Sequence, residues 1–260
     1  MKQLTARTAD GQPMAVTARS GNEDKPTIVF IHGWTCRRDY WAPQIKAVPD
    51  AFAILAPDLP GHGDTAAPDR ANWSVESLAD DVEQLVQDHA AGSVILVGHS
   101  MGGAVSLEAA ARLGDRARGV ILVDTFVIDY GGLDAETQEG IHQAFRDDFT
   151  GAIAGLVNDT SADATPDSLK ERLRQDMSSA DPDWALPLWK SLLGWNPERA
   201  FQQIRCEVHA INGGLIPDSA RKRWKDRMSE TVIAEGGHFL QMEDPQGFNP
   251  HLVEAIRRYA

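Results

Sequence analysis

The sequence contains few of the features that mark secreted, metal-binding or membrane-spanning proteins. It has only two cysteines, Cys36 and Cys206, which are too few for a disulfide framework. It has no run of about 18 apolar residues, so no membrane-spanning helix is expected, and residues 1–16 lack the apolar stretch of a signal peptide. HExxH and zinc-type spacings of Cys and His do not occur. We therefore expect a cytoplasmic protein that binds no metal ion and no other cofactor.

Basic residues are scarce relative to acidic ones. The 260 residues include 25 Lys and Arg against 38 Asp and Glu, which gives a formal net charge of −13. Such an excess of negative charge repels phosphate backbones and anionic membrane surfaces. We therefore expect neither a nucleic acid nor a membrane as a partner, and the oligomeric state stays open. Hydrophobic residues make up 42% of the chain, which is ordinary for a globular protein.

Short apolar runs alternate with helical patterns along most of the chain. A hairpin is predicted at residues 2–18, and a helix capped by Ser74 follows the second apolar run. Because strands that alternate with helices pair in parallel, the order predicts an α/β fold. We expect a mostly parallel, twisted sheet of about eight strands flanked by helices. Further strands are predicted at residues 27–31, 52–56, 94–97, 119–123, 206–211 and 231–234, and further helices at residues 103–113, 218–228 and 245–260.

The alternation stops between residues 130 and 201. No β-branched run occurs there, and helical patterns appear at residues 134–149, 166–178 and 182–193. The sequence therefore predicts one α/β core domain, formed by residues 1–129 and 202–260. Residues 130–201 are expected to be a helical insertion in that domain, placed after the sixth strand.

The strongest local signal is the run GHSMGG at residues 98–103. Gly98 and Gly102 flank Ser100, directly after a predicted buried strand and before a predicted helix. A serine on such a sharp strand-to-helix turn lies in a strained backbone conformation, and small neighbours allow the close packing it needs. The amide of Met101 then lies at a helix N-terminus, where it can bind a developing oxyanion. A glycine-rich turn with an incidental serine is the alternative, and the flanking strand and helix disfavour it.

Four motifs resemble the α/β-hydrolase superfamily, in particular its capped serine esterases. They are HGW at residues 32–34, PDLPGHG at 57–63, GHSMG at 98–102 and GGH at 236–238. The resemblance covers nearly the whole chain. It implies that Ser100 is the nucleophile and His238 the general base, because imidazole, with a pKa near 6.5 in peptides, can take and return the serine proton. It also implies that the backbone N–H groups of Trp34 and Met101 bind the oxyanion, and that residues 130–201 form a cap.

The acid of the expected triad departs from the commonest pattern of the family. Many relatives carry an aspartate after the seventh strand, in a Gly-x-x-Asp arrangement. In this chain Ile216 occupies that position, and Asp218 comes two residues later, where it suits a helix N-cap. Asp124 ends the sixth strand, after which some family members place their acid. We favour Asp124 as the acid, with Asp218 as the alternative and Asp129 as a weaker third choice.

Aromatic residues are the main candidates for the substrate pocket. Tryptophans in the inserted segment suggest an apolar pocket, although they could equally serve only to pack its helices together. Cys36 has no motif that would make it a nucleophile, so we expect it to be a small packing residue. The pocket candidates are Trp34, His99, Phe126, Trp184 and Trp189.

Three functions are compatible with these residues. The first is hydrolysis of carboxylic esters of small to medium apolar substrates through an acyl-enzyme, with a small-molecule ester as the partner. The second is a C–C hydrolase or a cofactor-free dioxygenase that uses the His/Asp base; residues 33–36, GWTC, look like those of the dioxygenases, but the SMGG run at residues 100–103 does not. The third is a small-molecule receptor that hydrolyses slowly. The natural substrate and its acyl or alcohol preference stay open.

Overall fold

The strands form one sheet whose central members are buried on both faces. A computed structural model describes residues 1–67 and 69–260. Within these residues eight strands are ordered β1-β2-β4-β3-β5-β6-β7-β8. The strands are β1 (Lys2–Arg7), β2 (Pro13–Arg19), β3 (Thr27–Ile31), β4 (Ile54–Pro57), β5 (Val94–His99), β6 (Ala117–Val123), β7 (Glu207–Gly213) and β8 (Ser229–Ile233).

Pairing in the sheet is mostly parallel, as the alternation of elements predicts. β1 and β2 are antiparallel to each other, β2 is antiparallel to β4, and every later pair is parallel. β3 and β5 are buried along their whole length. Continuous apolar runs are typical of such strands because helices cover both faces. The predicted fold class is therefore confirmed.

The helices lie on both faces of the sheet. Alternate residues of β3 show the division: Val29 packs in the core with α2 and α3, whereas Phe30 packs in the core with α11 on the other face. No helix in the part of the chain that the structure describes is both long and apolar enough to cross a bilayer. The helices are α1 (Ala42–Ala47), α2 (Val75–His89), α3 (Met101–Leu113), α4 (Ala135–Asp147), α5 (Phe149–Asp159), α6 (Asp167–Ser178), α7 (Pro182–Gly194), α8 (Glu198–Gln203), α9 (Asp218–Trp224), α10 (Leu240–Glu243) and α11 (Pro245–Tyr259).

Several element boundaries differ from the sequence predictions. The helix predicted at residues 134–149 ends at Asp147, and α5, which follows it, was not predicted. Asp148 leaves the helical conformation between them, and its carboxylate caps α5 by accepting from the Gly151 N–H at 2.9 Å. The second strand after the hairpin begins at Ile54 rather than residue 52, and α9 ends at Trp224 rather than residue 228. The cap of α2 is as predicted, since Ser74 Oγ accepts from the Ser77 N–H at 3.1 Å.

The sheet register brings the carboxyl ends of three central strands together. Ile31 at the end of β3 pairs with Gly98 in β5, and His99 at the end of β5 pairs with Val123 at the end of β6. The ladder continues one residue further, because the Ser100 N–H donates to Val123 O at 3.0 Å. Ser100 and the residue after Val123 therefore leave the same edge of the sheet side by side.

Two glycines allow α3 to approach these strands closely. A methyl group at Gly98 would lie 2.1 Å from the carbonyl oxygen of Gly102, and one at Gly102 would lie 2.2 Å from the carbonyl oxygen of Ile31. Both obstacles are backbone atoms, which cannot rotate away as a side chain can. Side chains larger than hydrogen at either position would therefore separate α3 from the sheet.

We expect Gly102→Ala to destabilise the protein by about 1–3 kcal/mol, even though alanine is the better helix former. Gly140→Ala is the matched control, because this glycine is exposed in α4 and no described atom beyond its own helix backbone lies within 4 Å of the added methyl. That control should gain about 0.5–1 kcal/mol. Urea denaturation followed by circular dichroism measures both changes. Equal effects of the two substitutions would contradict the close approach at α3.

Candidate active site

Ser100 occupies the sharp turn between β5 and α3. Its backbone has φ 53° and ψ −122°, in the left-handed half of conformational space that residues with a side chain rarely adopt. α3 begins at the next residue, Met101, two residues earlier than predicted. The Met101 N–H is one of the first four of that helix, which have no acceptor within it. This turn places the serine beside a helix N-terminus, where a negative charge can be stabilised.

Non-glycine residues with positive φ occur at three positions in residues 1–67 and 69–260: Thr35, Ser100 and Asp124. Each lies in the loop that follows a central strand, β3, β5 or β6 respectively. Such a conformation costs roughly 1–3 kcal/mol per residue and clusters at functional sites. The strain is therefore concentrated at the edge of the sheet that carries Ser100.

His238 and Asp124 form a buried pair at this edge. His238 Nδ1 lies 2.8 Å from Asp124 Oδ2, and Asp124 has no exposed surface. The other carboxylate oxygen, Oδ1, accepts from the Gly213 N–H at 2.7 Å. Because a carboxylate can only accept, the imidazole donates from Nδ1, and its Nε2 carries the free lone pair. The arrangement fixes the tautomer that a general base needs.

Two backbone contacts position His238. Its N–H donates to Thr160 O at 2.7 Å, and its carbonyl oxygen accepts from His99 Nε2 at 2.8 Å. Burial, together with the neighbouring His238, lowers the pKa of His99 well below its usual value, so that ring is neutral. Thr160 directly follows α5, which means that the 130–201 segment contacts the histidine loop directly.

The two other aspartates considered for the acid lie elsewhere. Asp218 is exposed at the first residue of α9, and Pro217 rather than Asp218 occupies the N-cap position, which corrects the expectation that Asp218 caps this helix. Asp129 accepts from Arg223 Nε at 3.0 Å. The geometry therefore brings Asp124 to His238 and leaves Asp218 and Asp129 with other roles.

The loop after β3 contacts Ser100. A methyl group at Gly33 would lie 3.3 Å from Ser100 Cβ, so the backbone before Trp34 runs beside the serine. His32 fixes this loop, since its Nδ1 donates to Gly33 O at 2.8 Å and its Nε2 accepts from the Leu59 N–H at 3.0 Å. Burial lowers the pKa of His32 and so favours the neutral ring that can make both bonds. The backbone that leads into Trp34 is therefore held beside Ser100.

Ser100 and His238 line one small cavity. Its free volume is about 20 Å³, room for about one water molecule. Of the pocket candidates from the sequence, Trp34, His99 and Trp189 line it. The sequence reasoning missed seven further lining residues, which are mostly apolar: Cys36, Val127, Ile128, Tyr130, Leu156, Met177 and Phe239.

The remaining two pocket candidates lie outside this cavity. Trp184 packs against His62, with ring centroids 4.4 Å apart, in a wider cleft that also contains Trp73. Phe126 stacks on Trp224 at 5.8 Å and lines a third cavity. Their aromatic neighbours account for both positions, so this structure places neither side chain against Ser100.

The Trp34 side chain links the core to the 130–201 segment. Its indole N–H donates to Ala185 O in α7 at 3.0 Å, and its ring stacks on Trp189 with centroids 4.5 Å apart. Cys36 lies beside it, buried, with Sγ 3.3 Å from Trp34 O. Burial raises the pKa of the Cys36 thiol, so the group is protonated and suits the packing role expected from the sequence. Among residues 1–67 and 69–260, no three His, Cys, Asp or Glu side chains are arranged to bind a metal.

The chain matches one sequence family and several curated proteins. The sequence model of the family described as "Alpha/beta hydrolase family" matches residues 28–251. The chain is 25% identical over 263 residues to the dihydrolipoyllysine-residue acetyltransferase component of acetoin cleaving system from Cupriavidus necator, covering 95% of this chain and 67% of that protein. It is 30% identical over 170 residues to the pimeloyl-acyl-carrier-protein methyl ester esterase from Neisseria meningitidis, covering 56% of this chain and 64% of that protein. The chain thus matches about two thirds of the length of these curated relatives.

Solved structures share the fold. An esterase from Exiguobacterium antarcticum superimposes with a TM-score of 0.85 at 16% sequence identity, over 98% of this chain and 100% of that one. A bromoperoxidase from Bacillus anthracis superimposes with a TM-score of 0.84 at 19% identity, over the same shares of the two chains. At such low identities these likenesses establish the architecture and leave the reaction to be argued from the site.

Proposed function

The chain belongs to the alpha/beta hydrolase family, and we propose that it is a serine hydrolase that cleaves carboxylic esters of small to medium size. The observation that carries the proposal is the bond from His238 Nδ1 to the buried Asp124, together with the cavity that His238 shares with Ser100. This bond leaves Nε2 of the imidazole free to accept a proton. The methyl ester esterase among the sequence relatives supports the same class of reaction.

In the first step Ser100 Oγ attacks the carbonyl carbon of the ester. His238 Nε2 takes the hydroxyl proton, because a neutral serine hydroxyl is a weak nucleophile. The imidazolium that forms is stabilised by Asp124, whose Oδ2 accepts the Nδ1 proton. The carbonyl electron pair moves to oxygen, and the N–H groups of Met101 and Trp34 donate to that oxyanion.

In the second step the tetrahedral intermediate collapses and its C–O bond to the alcohol breaks. The His238 imidazolium returns its proton to the leaving alkoxide, so an alcohol departs and an acyl group stays on Ser100. Water then attacks the acyl carbon, with the same imidazole as base, and release of the carboxylic acid regenerates Ser100. Protein side chains and backbone donors suffice for each of these steps.

We further propose that residues 130–201 are a cap on a core domain formed by residues 1–129 and 202–260. Two contacts described above support it: Trp34 bonds to Ala185 in α7, and His238 bonds to Thr160 after α5. Because the cavity at Ser100 has room for about one water molecule, an ester can enter only when cap side chains move aside. The sequence also predicts a cytoplasmic location. It predicts a small-molecule ester as the partner, and neither a nucleic acid nor a membrane.

A second candidate reaction uses the same base without the serine. The His238–Asp124 pair could also deprotonate a substrate in a C–C hydrolase or a cofactor-free dioxygenase, and this bond is the observation that favours it. The strained turn at Ser100 favours ester hydrolysis, since catalysis by the base alone would leave this strained serine without a role. Dioxygen uptake with a quinolone substrate, measured beside hydrolysis of p-nitrophenyl butyrate, separates the two reactions. No described contact favours a slow-hydrolysing receptor over an enzyme.

Ser100→Ala should lower kcat for p-nitrophenyl butyrate by a factor on the order of 10⁶ and abolish labelling by a fluorophosphonate, because no other group replaces the nucleophile. Ser106→Ala is the matched control: its hydroxyl lies on the same helix and donates to Gly102 O at 2.7 Å. The control should keep its labelling and most of its activity. Near-normal turnover by purified, folded Ser100→Ala protein would end the serine-hydrolase proposal.

Asp124→Asn should lower kcat by up to about 10⁴-fold, as an amide cannot stabilise the imidazolium and favours the wrong tautomer. The amide oxygen of asparagine can still accept from the Gly213 N–H, so the fold should survive. Asp218→Asn removes the same charge from an exposed position and should preserve activity. Steady-state kinetics of both variants, with circular dichroism as the folding check, compares them. A larger loss of kcat in Asp218→Asn than in Asp124→Asn would identify Asp218, which follows β7, as the acid.

Short acyl groups should be preferred over long ones. Each methylene buried in the pocket adds about 0.8 kcal/mol of binding free energy until the space is full, and longer chains then bind more weakly. A series of p-nitrophenyl esters from acetate to laurate locates the optimum through kcat/KM. Leu156→Ala enlarges the cavity and should move the optimum to longer chains, whereas Leu186→Ala, in α7 but not on the cavity wall, should leave it unchanged. Highest rates on emulsified long-chain oils would contradict a closed pocket.

A further inference from the structure

One indole N–H in the wall of the Ser100 cavity has no hydrogen-bond partner. In the described part of the chain, the buried indoles of Trp41, Trp189 and Trp224 all lack an acceptor for Nε1. Of these three, Trp189 alone lines the cavity that contains Ser100 and His238. By contrast, Trp34 Nε1 donates to Ala185 O. One residue of the wall where a substrate would bind thus carries an unpaired donor.

The Trp189 ring cannot turn to find an acceptor elsewhere. It is 3% exposed, stacks on Trp34 at 24° between the ring planes, and packs against Phe145 with centroids 5.2 Å apart. Contacts on these sides fix the plane of the ring, and close packing leaves the asymmetric indole no room to flip about its Cβ–Cγ bond, so the direction of its N–H is fixed. A buried donor without an acceptor is unfavourable, and any bound group that supplies an acceptor removes that penalty.

The other polar groups of the cavity wall depend less on a hydrogen bond to the substrate. His99 Nε2 already donates to His238 O, and the Cys36 thiol lies 3.3 Å from Trp34 O. The hydroxyl of Tyr130, which also lines the cavity, can rotate and can both donate and accept. Trp189 therefore imposes the most specific requirement, because an indole N–H only donates and its direction is fixed.

We propose that Trp189 is a specificity-determining residue, whose indole N–H binds an oxygen acceptor in the acyl chain of the substrate. This inference rests on the proposed esterase function and narrows its substrate class to esters whose acyl part carries an oxygen acceptor, for which a ketone serves as the test group. The acyl part is the half concerned, because it stays bonded to Ser100, which lines the same cavity as Trp189, after the alcohol has left. A plain hydrocarbon chain of the same shape would leave the N–H unpaired throughout the reaction.

The test compares two p-nitrophenyl esters of the same shape, the 4-oxopentanoate and the 4-methylpentanoate. The kcat/KM of the oxo ester is divided by that of the methyl ester. This ratio is then divided by the ratio of the rate constants for hydrolysis of the same two esters by hydroxide, which corrects for their intrinsic reactivity. In the wild-type protein the corrected ratio should favour the oxo ester by roughly 2- to 13-fold, the range expected for one neutral hydrogen bond. A corrected ratio of one in the wild-type protein would overturn the proposal without the need for any variant.

Trp189→Phe keeps an aromatic ring against Trp34 but removes the N–H, so the corrected ratio should fall to about one. Trp224→Phe is the matched control, because it removes an equally buried and unpartnered N–H that lies outside this cavity. The control should retain the wild-type ratio. Equal losses on both esters in Trp189→Phe would indicate a packing role and overturn the proposal, as would loss of the preference in Tyr130→Phe instead.

Failure of the wider function has a different signature. If Ser100 is not labelled by a fluorophosphonate and neither ester is hydrolysed, the serine-hydrolase proposal fails, and the Trp189 proposal fails with it. If Ser100 is labelled and both esters are hydrolysed without preference for the oxo group, only the role of Trp189 is overturned. Thermal denaturation of each variant confirms that the comparison is made between folded proteins.

Discussion

The Asp124 carboxylate joins three parts of the chain that are far apart in sequence. It follows β6, accepts from the Gly213 N–H at the end of β7, and accepts from His238 in the loop after β8. A carboxylate without exposed surface is tolerated only when its oxygens are satisfied, so these contacts are requirements of folding as well as of the site. The position of the imidazole is therefore fixed by the same bonds that close this edge of the sheet.

Backbone strain and sheet register reinforce that arrangement. Thr35, Ser100 and Asp124 each adopt positive φ in the loop after a central strand, and the register places those strand ends side by side. A parallel sheet brings all its carboxyl ends to one edge, which is where ligands bind in open α/β folds. The buried strands supply the stability that allows three strained residues to be concentrated there.

The sequence predicted the parts of the site that depend on local pattern. Ser100 could be placed because glycines, a buried strand and a helix surround it, and Asp124 because the strand before it ends at the same edge. Leu156 and Thr160 could not be found, since no helix was predicted between residues 149 and 166 and a helical pattern does not reveal what its apolar face contacts. Trp184 illustrates the same limit: its chemistry suits a pocket wall, but only tertiary packing decides which cavity it lines.

The small free volume beside Ser100 also couples access to the site with the position of the imidazole. Space for about one water molecule admits no larger ligand unless the side chains that line it move apart. Leu156 and Trp189 in this wall belong to the 130–201 segment, which is bonded to the core through Thr160 and Ala185. Because Thr160 O accepts from the His238 N–H, movement of that segment would act directly on the histidine loop. Widening of the cavity and placement of the imidazole are therefore linked through one hydrogen bond.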